Sequence, residues 1–446
     1  MISWFLGGLA VVVSALAAYV WRIASVGCGY KAKVLCSGVF VCGRKFSEVL
    51  RPDVSADAYK IMRLFRASLD AERKSVTVSF LGLKSQRAQY RPGWGATLTA
   101  GTSAEEILPK GAAPSVKERP WPVGPPNKEL DKVLADMFSE PNPKRLRRTR
   151  AAAVFYDGKL IGERYASGFG PETPMPGWSM TKSVVNALIG VMVREGKLAL
   201  EQDRLFKSWC APGDGRAAIT VDDLLRMSSG LDFSEVYSNP LSDVTQMLYN
   251  SKSVFAAASS KSLAFEPKTK WHYSSATTNI LCRLIRDTLK DDGAYWSLPH
   301  RELFEPLGMS SAVFETDARG DFVGSSYMFA SAKDWGKFGE LFRLGGVWNG
   351  RRILPEGWTE YSTRVTPASS NGGYGAHWWL KLQKEFGGDT ESAARIPEDA
   401  FFALGHEGQT LSIIPSKKLV AVRHGMSIHI DAWNQAEYID RILAVL

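Results

Sequence analysis

Residues 2–21 form an uncharged, almost wholly apolar run at the start of the chain. At a helical rise of about 1.5 Å per residue, such a run spans a hydrocarbon core of roughly 30 Å. Tyr19 and Trp21 lie near its end, where aromatic rings favour the membrane interface, and Arg22 follows. No basic residue precedes the run, and it is longer than the apolar part of a usual signal peptide. The pattern therefore predicts a single-pass transmembrane anchor over residues 1–22.

A second interpretation of the same segment is a cleaved lipoprotein. Gly27-Cys28 follows the apolar run, so Cys28 is the candidate for lipidation. Ser25 occupies the position where an apolar residue is expected, which weakens this alternative. The retained anchor is the favoured prediction.

Residues 37–108 have the pattern of a small accessory region. Apolar positions recur at helical spacing over residues 59–69, and over residues 75–81 they alternate with polar ones, as in a half-buried strand. Residues 109–126 then contain six prolines and little periodicity. That composition predicts a linker.

From residue 127 to residue 446 the pattern predicts one larger α+β domain. An apolar stripe near residue 130 predicts an opening helix, and further helices are expected at 179–195 and 436–446. Two hairpins are expected, with strands at 150–156 and 159–165 around Asp157-Gly158, and at 410–414 and 419–424. Strands at both ends with helices between them indicate an antiparallel sheet flanked by helices, with a helical lobe in the middle.

Composition and charge narrow the classes of partner only slightly. Hydrophobic residues make up 45% of the chain and charged residues 23%, which is typical of globular proteins. The net charge of +9 allows contact with anionic surfaces without specifying one. Residues 144–150 concentrate basic side chains, and a solvated linker is favoured there over binding to anionic lipid. No nucleic-acid-binding fold pattern accompanies this run, so no nucleic-acid partner is predicted.

The cysteines and histidines do not form a recognisable metal motif. Cys28, Cys36 and Cys42 lack paired CxxC spacing and nearby histidines, so they predict one disulfide or free thiols rather than a zinc site. No HExxH motif occurs either. We therefore expect an enzyme without a metal or another cofactor.

Ser179 and Lys182 are the strongest candidates for chemistry. Three residues apart on a helix, their side chains project from one face about one turn apart. A lysine amine of lowered pKa can accept the proton of a serine hydroxyl, which is otherwise too weak a nucleophile. Ser179 also follows Pro174-Met175-Pro176, so it opens the helix, where free N–H groups favour negative charge. The spacing predicts a nucleophile and its base.

Two later segments supply candidate partners for this pair. Tyr273-Ser274-Ser275 can present a phenol, for proton relay to a leaving group, and a hydroxyl that binds substrate. Gly405-His406-Glu407-Gly408-Gln409 precedes the last hairpin. Gly408 permits close approach of a substrate, His406 is a candidate substrate contact, and the N–H of Gln409 could complete an oxyanion hole with that of Ser179. In the aromatic run 374–379, Trp378 is a candidate for a pocket wall, with core packing as the alternative.

Ser179-Met180-Thr181-Lys182, Tyr273-Ser274-Ser275 and the segment at 405–409, in this order, resemble the beta-lactamase-related serine hydrolases. That group includes class C beta-lactamases, D-alanyl-D-alanine carboxypeptidases, family VIII carboxylesterases and 6-aminohexanoate-dimer hydrolases. The resemblance extends from about residue 127 to the C-terminus. It implies a helix-flanked antiparallel sheet with a helical lobe, an active site between them, Ser179 as nucleophile, Lys182 as base and Tyr273 as proton relay.

The chain also departs from the class C pattern at two positions. Ser275 replaces the asparagine of Tyr-x-Asn, and His406-Glu407-Gly408 replaces Lys-Thr-Gly. Both changes affect groups that hold a beta-lactam, so a small-molecule ester or linear amide is the expected substrate. Carboxypeptidase or beta-lactamase-like activity is the alternative, as is a non-catalytic cell-wall-binding module.

The side of the membrane on which the catalytic domain lies has two opposing indications. Arg22, Lys31 and Lys33 follow the apolar run, which favours a cytoplasmic body under the positive-inside rule. Hydrolases of the group that the motifs resemble commonly work outside the cytoplasm. On that resemblance we expect a membrane-anchored enzyme with an extracytoplasmic catalytic domain.

Overall fold

The computed structural model describes residues 2–103, 106–429 and 431–446. For residues 2–13, 15, 16 and 57 it describes the backbone only. Its first part is a module of two helices and a four-stranded sheet, here called the N-terminal module. Its elements are α1 (Ile2–Phe40), α2 (Phe46–Leu50), β1 (Phe65–Asp70), β2 (Ser75–Phe80), β3 (Lys84–Arg91) and β4 (Gly95–Leu98). The four strands pair in sequence order, all antiparallel, and α1 packs across them.

The prediction of a transmembrane anchor over residues 1–22 is wrong. The helix that contains the apolar run continues to Phe40, and its C-terminal half packs on the β1–β4 sheet. There Lys31 and Lys33 are buried and hydrogen-bonded, which makes this half a structural part of the module. Within the described part of the chain, no helix combines the length and the apolar character needed to cross a bilayer. The predicted membrane partner and membrane-anchored location rested on this apolar run, so they are wrong for the same reason.

The helix expected at residues 59–69 is also different in the structure. Asp57–Leu64 forms a 3-10 helix, and the chain then enters β1 at Phe65. Phe65 is buried and pairs with Phe80 on β2, so strand pairing determines the conformation of the second half of this segment. The apolar spacing alone did not distinguish these two structures.

The rest of the chain forms the larger α+β domain. Its elements are α3 (Lys128–Met137), β5 (Ala151–Tyr156), β6 (Lys159–Tyr165), β7 (Met175–Pro176), α4 (Thr181–Arg194), α5 (Val221–Leu225), α6 (Asp243–Asn250), α7 (Val254–Ser259), α8 (Ser275–Leu289), α9 (Asp292–Pro299), α10 (Glu305–Leu307), β8 (Val313–Phe314), β9 (Met328–Ala330), α11 (Ala332–Arg343), β10 (Val347–Trp348), β11 (Arg351–Arg352), α12 (Trp358–Thr363), α13 (Glu391–Ala394), β12 (Phe401–Gly405), β13 (Gln409–Ile414), β14 (Leu419–His424) and α14 (Gln435–Leu443). Both predicted hairpins are present, as β5–β6 and β13–β14.

The main sheet has the strand order β12-β13-β14-β5-β6, and all its neighbours are antiparallel. Helices α3 and α14 cover one face and α11 covers the other, so β5 and β14 are almost entirely buried. Helices α4 to α10 form a helical lobe beside the sheet, with α4 packed against α8. The α+β architecture predicted from the hydrophobic pattern is confirmed.

The N-terminal module is joined to this domain through buried polar contacts. Lys33 on α1 forms an ion pair with Glu315, which also accepts hydrogen bonds from Ser37 Oγ at 3.1 Å and from the N–H of Ala96 at 2.7 Å. Near α6, the ring of Tyr30 packs edge-on against Tyr249 at 5.4 Å. The module is therefore packed directly against the domain that carries the candidate nucleophile.

Candidate active site

Ser179 lies in a one-turn 3-10 helix, Trp178–Met180, which leads directly into α4. Trp178 has the left-handed φ of +48°, a conformation that is costly for a bulky residue and that concentrates at functional sites. The end of β12 approaches this turn closely, since a Cβ on Gly405 would lie 2.3 Å from the carbonyl oxygen of Gly177. Glycine at position 405 thus allows the sheet to lie against the turn that presents Ser179.

The Lys182 amine makes three polar contacts at the floor of the site. Its Nζ lies 3.0 Å from Ser179 Oγ, 3.3 Å from Ser275 Oγ and 3.0 Å from the carbonyl oxygen of Ser325. A neutral amine has two protons and one lone pair. If it donates to Ser275 and Ser325, the lone pair is left for the hydroxyl proton of Ser179. The geometry therefore fits a base that acts on Ser179.

The protonation of Lys182 depends mainly on its burial. Because the side chain is fully buried, desolvation lowers the pKa of its ammonium from 10.5 to about 8, while the Glu235 carboxylate acts in the opposite direction. A substantial fraction of neutral amine is thus present slightly above neutral pH. A general base with a pKa near the working pH is the most effective kind.

Tyr273 lies beside the same amine. Lys182 Nζ is 4.9 Å from the centre of its ring. Burial, and secondly the charge of Glu235, raise the pKa of the Tyr273 phenol well above its usual value, against the effect of a hydrogen bond with Ser179. The phenol is therefore protonated at neutral pH, and it can serve as a proton donor.

Glu235 is a site residue that sequence reasoning missed. Its carboxylate accepts hydrogen bonds from Ser275 Oγ at 2.5 Å and from the N–H of Ser275 at 2.8 Å. It thereby fixes the hydroxyl that contacts Lys182 at the start of α8. Glu235 lies in the loop before α6 and has no motif partner nearby in sequence, so only the tertiary structure reveals it.

Ser179 opens into a cleft of about 640 Å³. Aromatic side chains form much of its wall, and these are Tyr237, Trp271, Tyr273, Trp379, Phe386 and Trp433. Glu235, Glu385 and Glu407 add three carboxylates, whereas no lysine or arginine is among the described residues that line the cleft. Two buried basic side chains lie behind the lining, Lys182 beneath Ser179 and Arg423, which donates to the carbonyl oxygen of Gly408.

The other predicted site residues occupy different positions around this cleft. His406 and Gly408 line it, and Ser275 lies at its floor against Lys182. Gln409 is buried behind the lining, where its side-chain amide donates to the carbonyl oxygen of Gly425 and its Oε1 accepts from the Gly425 N–H. The oxyanion-hole role of its N–H stays a prediction.

Trp378, the predicted pocket wall, is fully buried and packs on Phe338 and Phe342 in the core. The adjacent Trp379 lines the cleft and stacks on Tyr273 at 5.3 Å. Behind α4, His377 Nδ1 lies 3.0 Å from the carbonyl oxygen of Lys182, and burial lowers the pKa of this imidazole to about 3. His377 is thus a neutral packing partner of the Lys182 backbone.

Cysteine and acidic clusters give no sign of a metal centre in the described residues. All five cysteines belong to that part of the chain, and each is unpaired. Nor do three or more histidine, cysteine, aspartate or glutamate side chains gather there in a metal-binding group.

Comparison with known proteins identifies the class to which this fold and site belong. The profile of the Beta-lactamase family matches residues 134–424, which is more than half of the chain. The chain therefore belongs to the Beta-lactamase family.

Individual relatives are more distant. The 6-aminohexanoate-dimer hydrolase of Paenarthrobacter ureafaciens is 22% identical over 252 residues, which cover 52% of this chain and 64% of that protein. The chain thus matches less than two thirds of the length of this curated relative.

Two solved structures share the fold. One is a Bacillus anthracis protein described as a candidate 6-aminohexanoate-dimer hydrolase, with a TM-score of 0.53 at 19% identity. The match covers 78% of this chain and 91% of the Bacillus chain. The other is EstCE1, a hydrolase with promiscuous acyltransferase activity, with a TM-score of 0.54 at 15% identity. The match covers 71% of this chain and 97% of the EstCE1 chain. At these identities the likeness concerns the fold alone.

Proposed function

We propose that the protein hydrolyses a small-molecule carboxylic ester or linear amide through an acyl intermediate on Ser179. The observation that carries this proposal is the 3.0 Å contact between Ser179 Oγ and a fully buried Lys182 amine whose pKa is lowered to about 8. A non-catalytic binding module would have no use for a desolvated base beside a serine at the floor of a cleft.

The proposed acylation begins with neutral Lys182. Its lone pair takes the proton of Ser179 as Oγ attacks the substrate carbonyl carbon, giving a tetrahedral oxyanion and a lysine ammonium. Tyr273 then gives its proton to the departing alcohol or amine, and Lys182 returns a proton to the phenol. Attack by water on the acyl ester, assisted in the same way, releases the acid and restores Ser179.

The oxyanion would be stabilised by backbone N–H groups on either side of the reacting carbon. The N–H of Ser179 is one candidate, and the turn between β12 and β13 supplies the other, Gln409 being the predicted donor. Gly405 supports this arrangement because it brings the end of β12 against the nucleophile turn.

The charge of the cleft bears on which substrate enters it. A beta-lactam carries a carboxylate, yet the cleft is lined by Glu235, Glu385 and Glu407 without a lysine or arginine among its described residues. Like charges in an occluded site disfavour binding. The 6-aminohexanoate dimer named for the Paenarthrobacter relative also ends in a carboxylate, but its ammonium balances that charge, and an ester can be uncharged, so neither substrate class carries the net negative charge of a beta-lactam.

A panel of three substrates tests the proposed substrate class. A short-chain p-nitrophenyl ester and a linear amino-acid-like amide dimer should be hydrolysed, and like-charge repulsion should make kcat/KM for nitrocefin about a hundredfold lower than for the ester. Initial rates on the same enzyme preparation give the ranking. Efficient turnover of nitrocefin, with the ester and the amide untouched, would reverse the proposal in favour of beta-lactamase activity.

The pH dependence of acylation should report the Lys182 amine. Since only the neutral form accepts a proton, kcat/KM for the ester should rise about tenfold per pH unit below the pKa and level off above about pH 8. Glu235 raises the pKa of Lys182, so Glu235→Gln should move the midpoint to lower pH. Glu398→Gln, at a carboxylate outside the cleft lining, is the matched control. A midpoint that does not respond to Glu235→Gln would contradict this assignment.

A further inference from the structure

The N-terminal module reaches the active-site cleft through one side chain. Tyr59 lies on the Asp57–Leu64 3-10 helix, upstream of the part of the chain that matches the family. Its hydroxyl donates to Glu407 Oε1 at 3.1 Å and lies 3.4 Å from His406 Nε2. Both of these residues line the cleft that contains Ser179.

The turn that Tyr59 contacts has an unfavourable backbone conformation. Glu407 has a φ of +61°, in the left-handed region that few residues other than glycine adopt. Its carbonyl oxygen accepts from the N–H of Ser427 at 2.9 Å, and the carbonyl oxygen of Gly408 accepts from Arg423 at 2.6 Å. Tyr59, which belongs to the N-terminal module, holds the side chain of the same glutamate through its hydrogen bond.

His406 connects this turn to the nucleophile. Its ring stacks on Tyr237 at 5.3 Å and meets the ring of Trp178 edge-on at 5.7 Å. Trp178 directly precedes Ser179 and is itself in a left-handed conformation. A displacement of the His406–Gly408 turn would therefore reach the backbone that presents Ser179.

The ring of Tyr59 packs against α1 of the N-terminal module. Its ring lies 5.7 Å from that of Tyr30 on α1. Burial, and then the charge of Glu407, raise the pKa of Tyr59 far above its usual value, so its hydroxyl stays a donor at every working pH. The contact to Glu407 is thus a charge-assisted hydrogen bond, a strong kind.

We propose that Tyr59 is a positioning residue of the active site, through which the N-terminal module holds the His406–Gly408 turn in the geometry that acylation of Ser179 requires. The inference rests on the proposed function, because it concerns the rate of the same acylation step.

A double-mutant cycle on the full-length protein tests this inference. Since small misplacements of catalytic groups cost up to a hundredfold, we expect Tyr59→Phe and Glu407→Met each to lower the second-order rate of Ser179 labelling by a fluorophosphonate about tenfold. The double variant should be no slower than either single variant, because both substitutions remove the same contact. Tyr90→Phe, on β3 of the same module, is the control and should label at the wild-type rate.

The melting temperature of each variant separates positioning from stability. A merely structural contact would lower the melting temperature and leave the labelling rate of the folded protein unchanged, and that result would overturn the inference. Additive effects in the double variant would overturn it as well. If the wild-type protein itself is not labelled, the proposed function fails and this inference fails with it. If the wild-type protein and Tyr59→Phe are labelled at equal rates, only this inference fails and the proposed function stands.

Discussion

Replacing Lys182 with alanine should lower the rate of acylation about a thousandfold, because positioned general bases contribute roughly 10²- to 10⁴-fold. The substitution removes the group that takes the Ser179 proton, and no other amine of the described structure lies within hydrogen-bond distance of the Ser179 hydroxyl. Burst-phase kinetics with a p-nitrophenyl ester would measure the effect directly. The loss should appear in kcat and kcat/KM together, since the proton transfer occurs in the transition state.

The variant Lys182→Arg distinguishes loss of the base from loss of the fold. Arginine keeps the length and charge of the side chain but stays protonated at any working pH, so it cannot act as a base. A folded but inactive Lys182→Arg protein would support the proposed role. Lys197→Ala, just beyond the end of α4, is the matched control and should retain wild-type rates. Near-normal acylation by either Lys182 variant would exclude Lys182 as the base.

The second large effect should be on stability. Glu315→Gln removes the charge that balances Lys33 in a fully buried pair and should lower the free energy of unfolding by about 3–5 kcal/mol, the cost of leaving one buried charge without its partner. Urea denaturation followed by tryptophan fluorescence is the measurement. Glu72→Gln, at an exposed carboxylate on the β1–β2 turn, should leave the midpoint unchanged.

The double substitution Lys33→Met/Glu315→Gln tests the physical reason. Because desolvation raises the pKa of Glu315 despite the neighbouring Lys33, the charged pair is itself costly to bury. A neutral replacement of both partners removes the unpaired ammonium and keeps an acceptor for the Ala96 N–H, so it should recover most of the stability lost in the single variant. A loss in Glu315→Gln below about 1 kcal/mol, the range of exposed ion pairs, would mean that this pair does not join the module to the catalytic domain.

Local patterns predicted the parts of this molecule that local forces determine. The Asp157-Gly158 hairpin and the β13–β14 hairpin are present because their turns and alternating residues specify pairing between neighbours in sequence. Ser179 and Lys182 lie within reach of each other because three residues on a helix make one turn. Nothing local connects Tyr273 to Ser179, so its segment offered only a candidate phenol, and the family resemblance was needed to pair it with Ser179.

The misses have physical reasons too. The apolar run at residues 2–21 continues into a helix half that is buried against a sheet, and hydropathy does not reveal where such a helix ends. Trp378 and Trp379 are adjacent tryptophans, and the sequence does not show which of them faces the core: Trp378 is fully buried, whereas Trp379 pairs with Phe402 of β12 and lines the cleft. Glu235 reaches the site from a distant loop and Tyr59 from the 3-10 helix of the N-terminal module, and no pattern in a single sequence encodes either contact.

The central claim is that Ser179 is the acylated nucleophile, and the most direct measurement is intact mass after incubation with a fluorophosphonate probe. Attack of Ser179 Oγ on phosphorus expels fluoride and leaves one phosphonyl group on the protein. We predict a single adduct that maps to Ser179, formed faster above pH 8 than below it, and absent from Ser179→Ala. A folded wild-type protein that gains no adduct, or an adduct that persists in Ser179→Ala, would contradict the claim.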